Sequence, residues 1–278
     1  MSGSVAAELL VLRKRASTWI LLAIWAALAL FFSYVVPYVT YLNDGGGPIQ
    51  VDLADLLPRR LVAGVSGGFP FFGGVFALML GVLAFGSEYG WGTLRTLFTQ
   101  RPGRLSVFAA KLITLAAALV PFVLVVFLVG ALSSYAIAQF EGAEVTWPSA
   151  WLLVRALAGG WLIMAVWTAL GVLLAVLSRG TALAIGVGIL YALVIEGLLS
   201  ALADQVSVLE PLVEFFVRAN AYSLVTGLGV SRDDVAENGP GAFSGPYVDG
   251  EQAVVVLIVY LAAFLLLSGF LLRRRDVT

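Results

Sequence analysis

The chain has 278 residues, 61% of them hydrophobic and 12% charged, with a net charge of −1. A soluble domain keeps about a quarter of its residues charged, so this composition points to a membrane protein, and near-neutrality gives no pull on nucleic acid. The absence of Cys and His excludes disulfides, thiolate zinc sites, iron–sulfur clusters, His-ligated metals or haem, and every His-based triad.

Residues 1–15 predict a short helix in which Val5, Ala6, Leu9, Leu10 and Leu12 share one side, with Glu8 and the basic run Arg13–Arg15 elsewhere. Such a segment is either an interfacial helix on the inner leaflet or a terminus whose charges anchor orientation. A membrane helix needs about 20 mostly apolar residues to cross ~30 Å of hydrocarbon. Six stretches qualify: 19–42, 62–85, 108–138, 150–177, 181–202 and 252–272. The first is too long for a signal-peptide core and lacks a small-residue cleavage site at its end, so it is expected to remain as a span. The second opens on Gly67–Gly74, which reads either as close helix approach or a hinge, or as a loose helix start. The third carries Pro121.

Between spans, residues 43–61 hold the turn-rich Gly45–Pro48 and then a mixed stretch. The long segment 203–251 divides in two. Val206–Val230 is apolar but interrupted by Glu210, Pro211, Glu214, Arg218 and Asn220, and predicts short outer or re-entrant helices; Ser231–Gly250 reads as a loop. With the N-terminus inside, eleven Lys and Arg residues fall on the cytoplasmic side and five outside, and an odd number of spans would spoil that sorting. The expected fold is therefore all-α. It is a single polytopic domain, 1–278, of six transmembrane helices with both termini cytoplasmic. No internal repeat supports an inverted-repeat transporter.

The inner loop 86–107 is the informative one. Leu94, Leu97 and Phe98 fall at i, i+3 and i+4 and make an apolar face, with Arg95 off it, and Pro102-Gly103 ends the helix. A short amphipathic helix of this kind either rests in the headgroup layer or docks into a groove of a cytosolic partner. Gly86-Ser87-Glu88-Tyr89, Gly92-Thr93-Leu94-Arg95-Thr96-Leu97, Arg101-Pro102-x-Arg104 and Lys111 together resemble the permeases of the ABC type-2 export family. That family has E-Y-x-x-G-T-L-[RK], then R-P-x-x-R, then a Lys opening the third span; this chain has one residue fewer between Pro102 and Arg104.

The resemblance implies a permease with no ATPase site of its own. It would pair with a second permease subunit, the same chain or a related one, and with cytosolic ABC ATP-binding subunits that hold ATP and Mg. It implies a multi-pass protein of a bacterial cytoplasmic (inner) membrane. By the same resemblance the loop helix is a coupling helix. Glu88 and Tyr89 brace it at the membrane edge, Leu94, Leu97 and Phe98 plug the partner's groove, Thr93 and Arg95 contact the rim, and Arg101 and Pro102 form the turn. No G-x-x-x-x-G-K-[ST] phosphate loop is present.

Glu196 is the one acid well inside a span. It reads as half of a structural pair, with a nearby hydroxyl or with Arg155 at similar depth, or as part of a substrate or ion pathway. Two other classes stand beside the exporter. An ion-coupled secondary transporter would want several intramembrane acids. An intramembrane enzyme would need a catalytic constellation, and no two acids share a span.

Overall fold

A computed structural model of the chain describes residues 2–43, 51–90, 103–203, 206–232, 243 and 245–274, and every regular element among them is helical. The elements run α1 (Ser2–Lys14), α2 (Ala16–Leu30, continued by a π-turn Phe31–Val35 and by Val36–Leu42), α3 (Leu61–Ser66) and α4 (a π-turn Phe69–Gly73 leading into Gly74–Gly90). Then come α5 (Arg104–Phe140), α6 (Ala150–Ser178), α7 (Ala182–Leu190, a π-turn Tyr191–Ile195, Glu196–Ala203), α8 (Val217–Thr226) and α9 (Gly250–Arg274). Among the described residues five helices are long and apolar enough to cross a membrane: Ala16–Leu42, Phe69–Tyr89, Leu105–Phe140, Ala150–Ser178 and Gly250–Arg274. The fifth expected stretch, 181–202, forms three successive helical pieces and is not among those five.

Two of the three π-turns have a visible cause. Pro37 follows the first by two residues and Pro70 lies inside the second. Proline removes an N–H and its ring clashes with the preceding turn, and a widened i→i+5 turn relieves both. Gly73 N–H accordingly bonds to Gly68 O at 3.0 Å. The second expected span thus breaks at Gly67–Gly68 into α3 and α4. Its glycines serve close packing: a Cβ at Gly68 or Gly73 would stand 3.4–3.5 Å from the Trp25 ring, and one at Gly74 only 2.7 Å from Trp167 Nε1.

The centre of the bundle is the pair α4 and α6. Of their most apolar windows 72% and 78% is buried, against 17% for α2 and α9, whose outward faces carry exposed Ile24, Phe31, Val255 and Val259. The two backbones touch. A Cβ at Gly81 would lie 2.2 Å from Thr168 O, and one at Gly171 2.3 Å from Leu78 O. Thr168 Oγ1 also donates to Ala77 O at 3.1 Å. Small residues permit this approach where apolar solvation offers helices no reason to associate.

Helix α5 has 37 residues, so it is roughly 55 Å long, well beyond the hydrocarbon thickness. Two indoles grip its backbone on either side of Pro121: Trp161 Nε1 donates to Ala116 O at 3.0 Å and Trp25 Nε1 to Phe122 O at 3.1 Å. The helix ends in a Schellman-type cap, with Gly142 at φ 63° and Ala143 N–H bonded to Ala138 O at 2.9 Å. Beside that end Tyr38 donates to Glu141 at 2.8 Å and ties α2 to α5.

Candidate functional site

At the opposite end of α5 three elements meet around one cation. Lys111 lies two turns into α5, whose N-terminus is capped at Gly103 by the Val107 N–H to Gly103 O bond. Its ammonium donates to Glu88 of α4 and, at 2.9 Å, to Glu8 of α1. The side chains are 4%, 8% and 18% exposed for Lys111, Glu88 and Glu8, so the triad is largely withdrawn from solvent. The ring of Phe85 lies 5.8 Å from the Lys111 ammonium and packs edge-on against Phe108. Arg15, between α1 and α2, donates through Nη1 to Leu83 O at 2.9 Å. Charges so placed are retained only when paired, and here the pairing joins α1, α4 and α5 at one point.

That point is the root of the 91–102 segment. The expected loop 86–107 is shorter at both edges, because 86–90 continue α4 and Arg104 already begins α5. Glu88 sits in the triad and Tyr89 is half-buried against the core beside it. Thr93, Leu94, Arg95, Leu97, Phe98, Arg101 and Pro102 lie outside the described residues. Glu8 and Arg15 were not foreseen as site residues. Each carried a signal, a lone acid in an otherwise apolar and basic segment and a cation directly abutting a span.

The turn between α6 and α7 is packed at the same place. Arg179 ends α6 in the left-handed region at φ 53°, and Ser178 Oγ donates to Leu174 O and Gly180 O. A Cβ at Gly86 would stand 2.9 Å from Gly180 O and 2.9 Å from Thr181 Cγ2. The glycine of the Gly86-Ser87-Glu88-Tyr89 run is thus required by this turn. The end of α9 arrives there too, with Gly269 beside Phe108. One end of the bundle therefore gathers α1, the loop root, the α6–α7 turn and the end of α9.

Glu196 occupies a second, separate centre. It does not pair with Arg155, which is exposed on α6. The carboxylate instead accepts from Val217 N–H at 2.9 Å and Arg218 N–H at 3.0 Å, the first two amides of α8, and from Tyr191 OH at 2.5 Å. The first amides of a helix have no internal partners and carry the positive end of its dipole, so a carboxylate from another helix caps them well. The α7 π-turn assists, since i→i+5 bonding draws residues five apart, Tyr191 and Glu196, onto one face. The Arg218 guanidinium lies 5.3 Å from the Phe71 ring, 5.6 Å from Tyr222 and 5.9 Å from Phe243. Replacing Glu196 with Ala is expected to lower stability by about 3 kcal/mol through the orphaned donors. Thermal unfolding in detergent measures it, and a Tyr191→Phe variant, which leaves both amides capped, should lose less than half as much.

A profile of the ABC-2 family transporter proteins matches residues 64–277, most of the chain. A search of curated proteins finds no match. Proteins of that family are membrane transport subunits, generally without an ATPase site and paired with an ATP-binding subunit. The matched stretch contains α4 to α9, the Lys111–Glu88 pair and the Glu196-capped helix, and the chain belongs to the ABC-2 transporter family.

Proposed function

We propose that the chain is the membrane-spanning permease subunit of an ATP-driven exporter in the cytoplasmic membrane of a bacterium. It moves substrate by alternating access, powered by a separate ATP-binding subunit that holds ATP and Mg, and works beside a second permease subunit. It crosses the membrane six times with both termini cytoplasmic. The observation that carries this reading is the Lys111–Glu88–Glu8 triad. A displacement of the 91–102 segment is delivered through it to three elements at once, as a coupling loop requires.

Support for six crossings comes from where the ends lie. Helices α6 and α9 finish at the triad end and α7 begins there, so a return to the far end before Gly250 is expected, which favours α7 as the sixth crossing. At 22 residues from 182 to 203 it is about 33 Å long, sufficient for the hydrocarbon. The triad end also carries Arg13, Lys14, Arg15, Arg104, Lys111, Arg179, Arg273 and Arg274, which favours its being cytoplasmic. The competing ion-coupled transporter is disfavoured by Glu196, whose carboxylate is engaged by three donors from the protein.

The test is the double variant Leu97→Asp and Phe98→Asp. It should abolish co-purification of the ATP-binding subunit and reduce transport at least tenfold while the membrane domain still folds. Unchanged co-purification would overturn the docking role.

A further inference from the structure

Helix α1 has two faces, and only one is used by the triad. Glu8, Leu12 and Arg15 lie close together on a helical wheel and face the bundle, where Glu8 reaches Lys111, Leu12 is buried and Arg15 reaches Leu83 O. The opposite side presents Leu9 and Leu10, about half exposed, with Arg13 and Lys14 exposed one turn further on at i+4. Trp19 continues this surface onto α2. It is exposed and its Nε1 donates to Arg13 O at 2.7 Å, so the indole is fixed to the backbone of the residue that carries one of the two cations. Beyond it Ile20 and Ile24 carry the same exposed apolar strip along α2.

Exposed apolar residues of α1 and of the span that follows it thus flank two cations and an indole. A zwitterionic headgroup covers the strip, but its phosphate is already balanced by its own ammonium and brings no net charge to the two cations. An anionic phospholipid satisfies strip, indole and cations, its acyl chains on Leu9, Leu10 and Ile20 and its phosphate between Arg13 and Lys14. We propose that the outward face of α1, Leu9-Leu10-Arg13-Lys14 with Trp19, is a binding site for anionic phospholipid headgroups, and that occupancy is transmitted through Glu8 to Lys111 and the root of the 91–102 segment. The strip and the triad are opposite sides of a single helix of 13 residues, too short to bend between them. Lipid that holds α1 down on the membrane surface holds Glu8 in place on Lys111, and loss of that lipid frees both.

The inference rests on the membrane reading above but needs neither the ATP-binding subunit nor a given orientation, because a nanodisc presents the same lipid on both faces. The full chain is placed in phosphatidylcholine nanodiscs in which a third of the lipid is brominated, either as phosphatidylglycerol or as phosphatidylcholine. Trp19 quenching is isolated by subtracting a Trp19→Phe variant. Brominated phosphatidylglycerol is expected to quench Trp19 with an apparent affinity on the order of tenfold or more above that of brominated phosphatidylcholine, as two surface cations dictate. The double variant R13Q and K14Q, both at exposed positions, should remove that preference and keep the quenching by phosphatidylcholine.

Transmission is read by amide exchange over 84–90 and 103–111, which phosphatidylglycerol should slow in the wild type. A Glu8→Gln variant should retain the quenching preference and lose the slowed exchange. Equal quenching by the two lipids, or a preference indifferent to R13Q and K14Q, would overturn the site. Slowed exchange that survives Glu8→Gln would overturn the route. Inorganic phosphate reproducing the slowed exchange in phosphatidylcholine alone would replace the lipid with a free anion.

Discussion

Alanine at Gly81 or Gly171 is expected to lower stability by about 3 kcal/mol, and leucine at either position to abolish the folded bundle. The added Cβ at these positions meets backbone, Thr168 O at 2.2 Å and Leu78 O at 2.3 Å, and a carbonyl cannot rotate aside as a side chain can. Helices α4 and α6 would have to separate by more than an ångström over the tightest contact in the core. That separation would also break the Thr168 to Ala77 hydrogen bond and strip packing from Leu78 and Val172. Gly186 on α7 is the control, since nothing lies within 4 Å of its added Cβ. Alanine there should be neutral or raise stability by up to about 1 kcal/mol through helix propensity. Unfolding midpoints in mixed detergent and SDS compare the three. Indifference of Gly81→Ala and Gly171→Ala would contradict the contact between the two helices.

Removal of Lys111 has an effect of similar size and a different origin. Lys111→Met leaves Glu88 and Glu8 facing each other with no cation between them, and breaking a buried pair in this way costs about 3–5 kcal/mol. The triple variant Lys111→Met, Glu88→Gln and Glu8→Gln removes the charges of all three triad members, leaves Arg15 in place, and should recover part of that loss, the part that belongs to carboxylates deprived of their lysine. Glu88→Gln alone keeps Lys111 paired to Glu8 and should be the mildest of the set. The same unfolding assay reads stability. Co-purification of an ATP-binding subunit reads function, and there the triple variant is expected to stay defective, since a neutral cluster no longer ties α1 to the loop root. A triple variant as unstable as Lys111→Met alone would mean that the lysine acts through its packing.

Five of the six expected spans were legible because a bilayer imposes one simple demand, length of apolar chain, and that demand leaves a direct trace in the sequence. The same trace misled at edges. Charged residues stop an apolar run but do not stop a helix, so α5 begins at Arg104, four residues before the expected 108, and α4 continues to Gly90. Glu88, Tyr89 and Lys111 stood out in the sequence through their spacing in a recurring pattern, and two of them, Glu88 and Lys111, prove to be partners. Glu8 was not, since it meets Lys111 across 103 residues and long-range pairing has no local signature. Of the two partners expected for Glu196 the hydroxyl is present, as Tyr191 OH, whereas Arg155 is not, and the two amide partners were missed for a related reason. Arg155 advertised itself as a cation at similar depth, whereas backbone amides at the start of α8 are present in every helix and distinguish none. Of the three π-turns, two stood next to prolines, and the one at Tyr191–Ile195 has no proline beside it.

The length of α5 has a mechanical corollary. It is held at Lys111, gripped around Pro121 by two indoles from different neighbours, and tied again at Glu141. With about 15 Å from the first of these to the grip and about 30 Å from the grip to the last, it is a lever with unequal arms. Were the indole grip to act as a pivot, a sideways nudge of 1 Å at the Lys111 end would load the Tyr38–Glu141 tie with about 2 Å in the opposite direction.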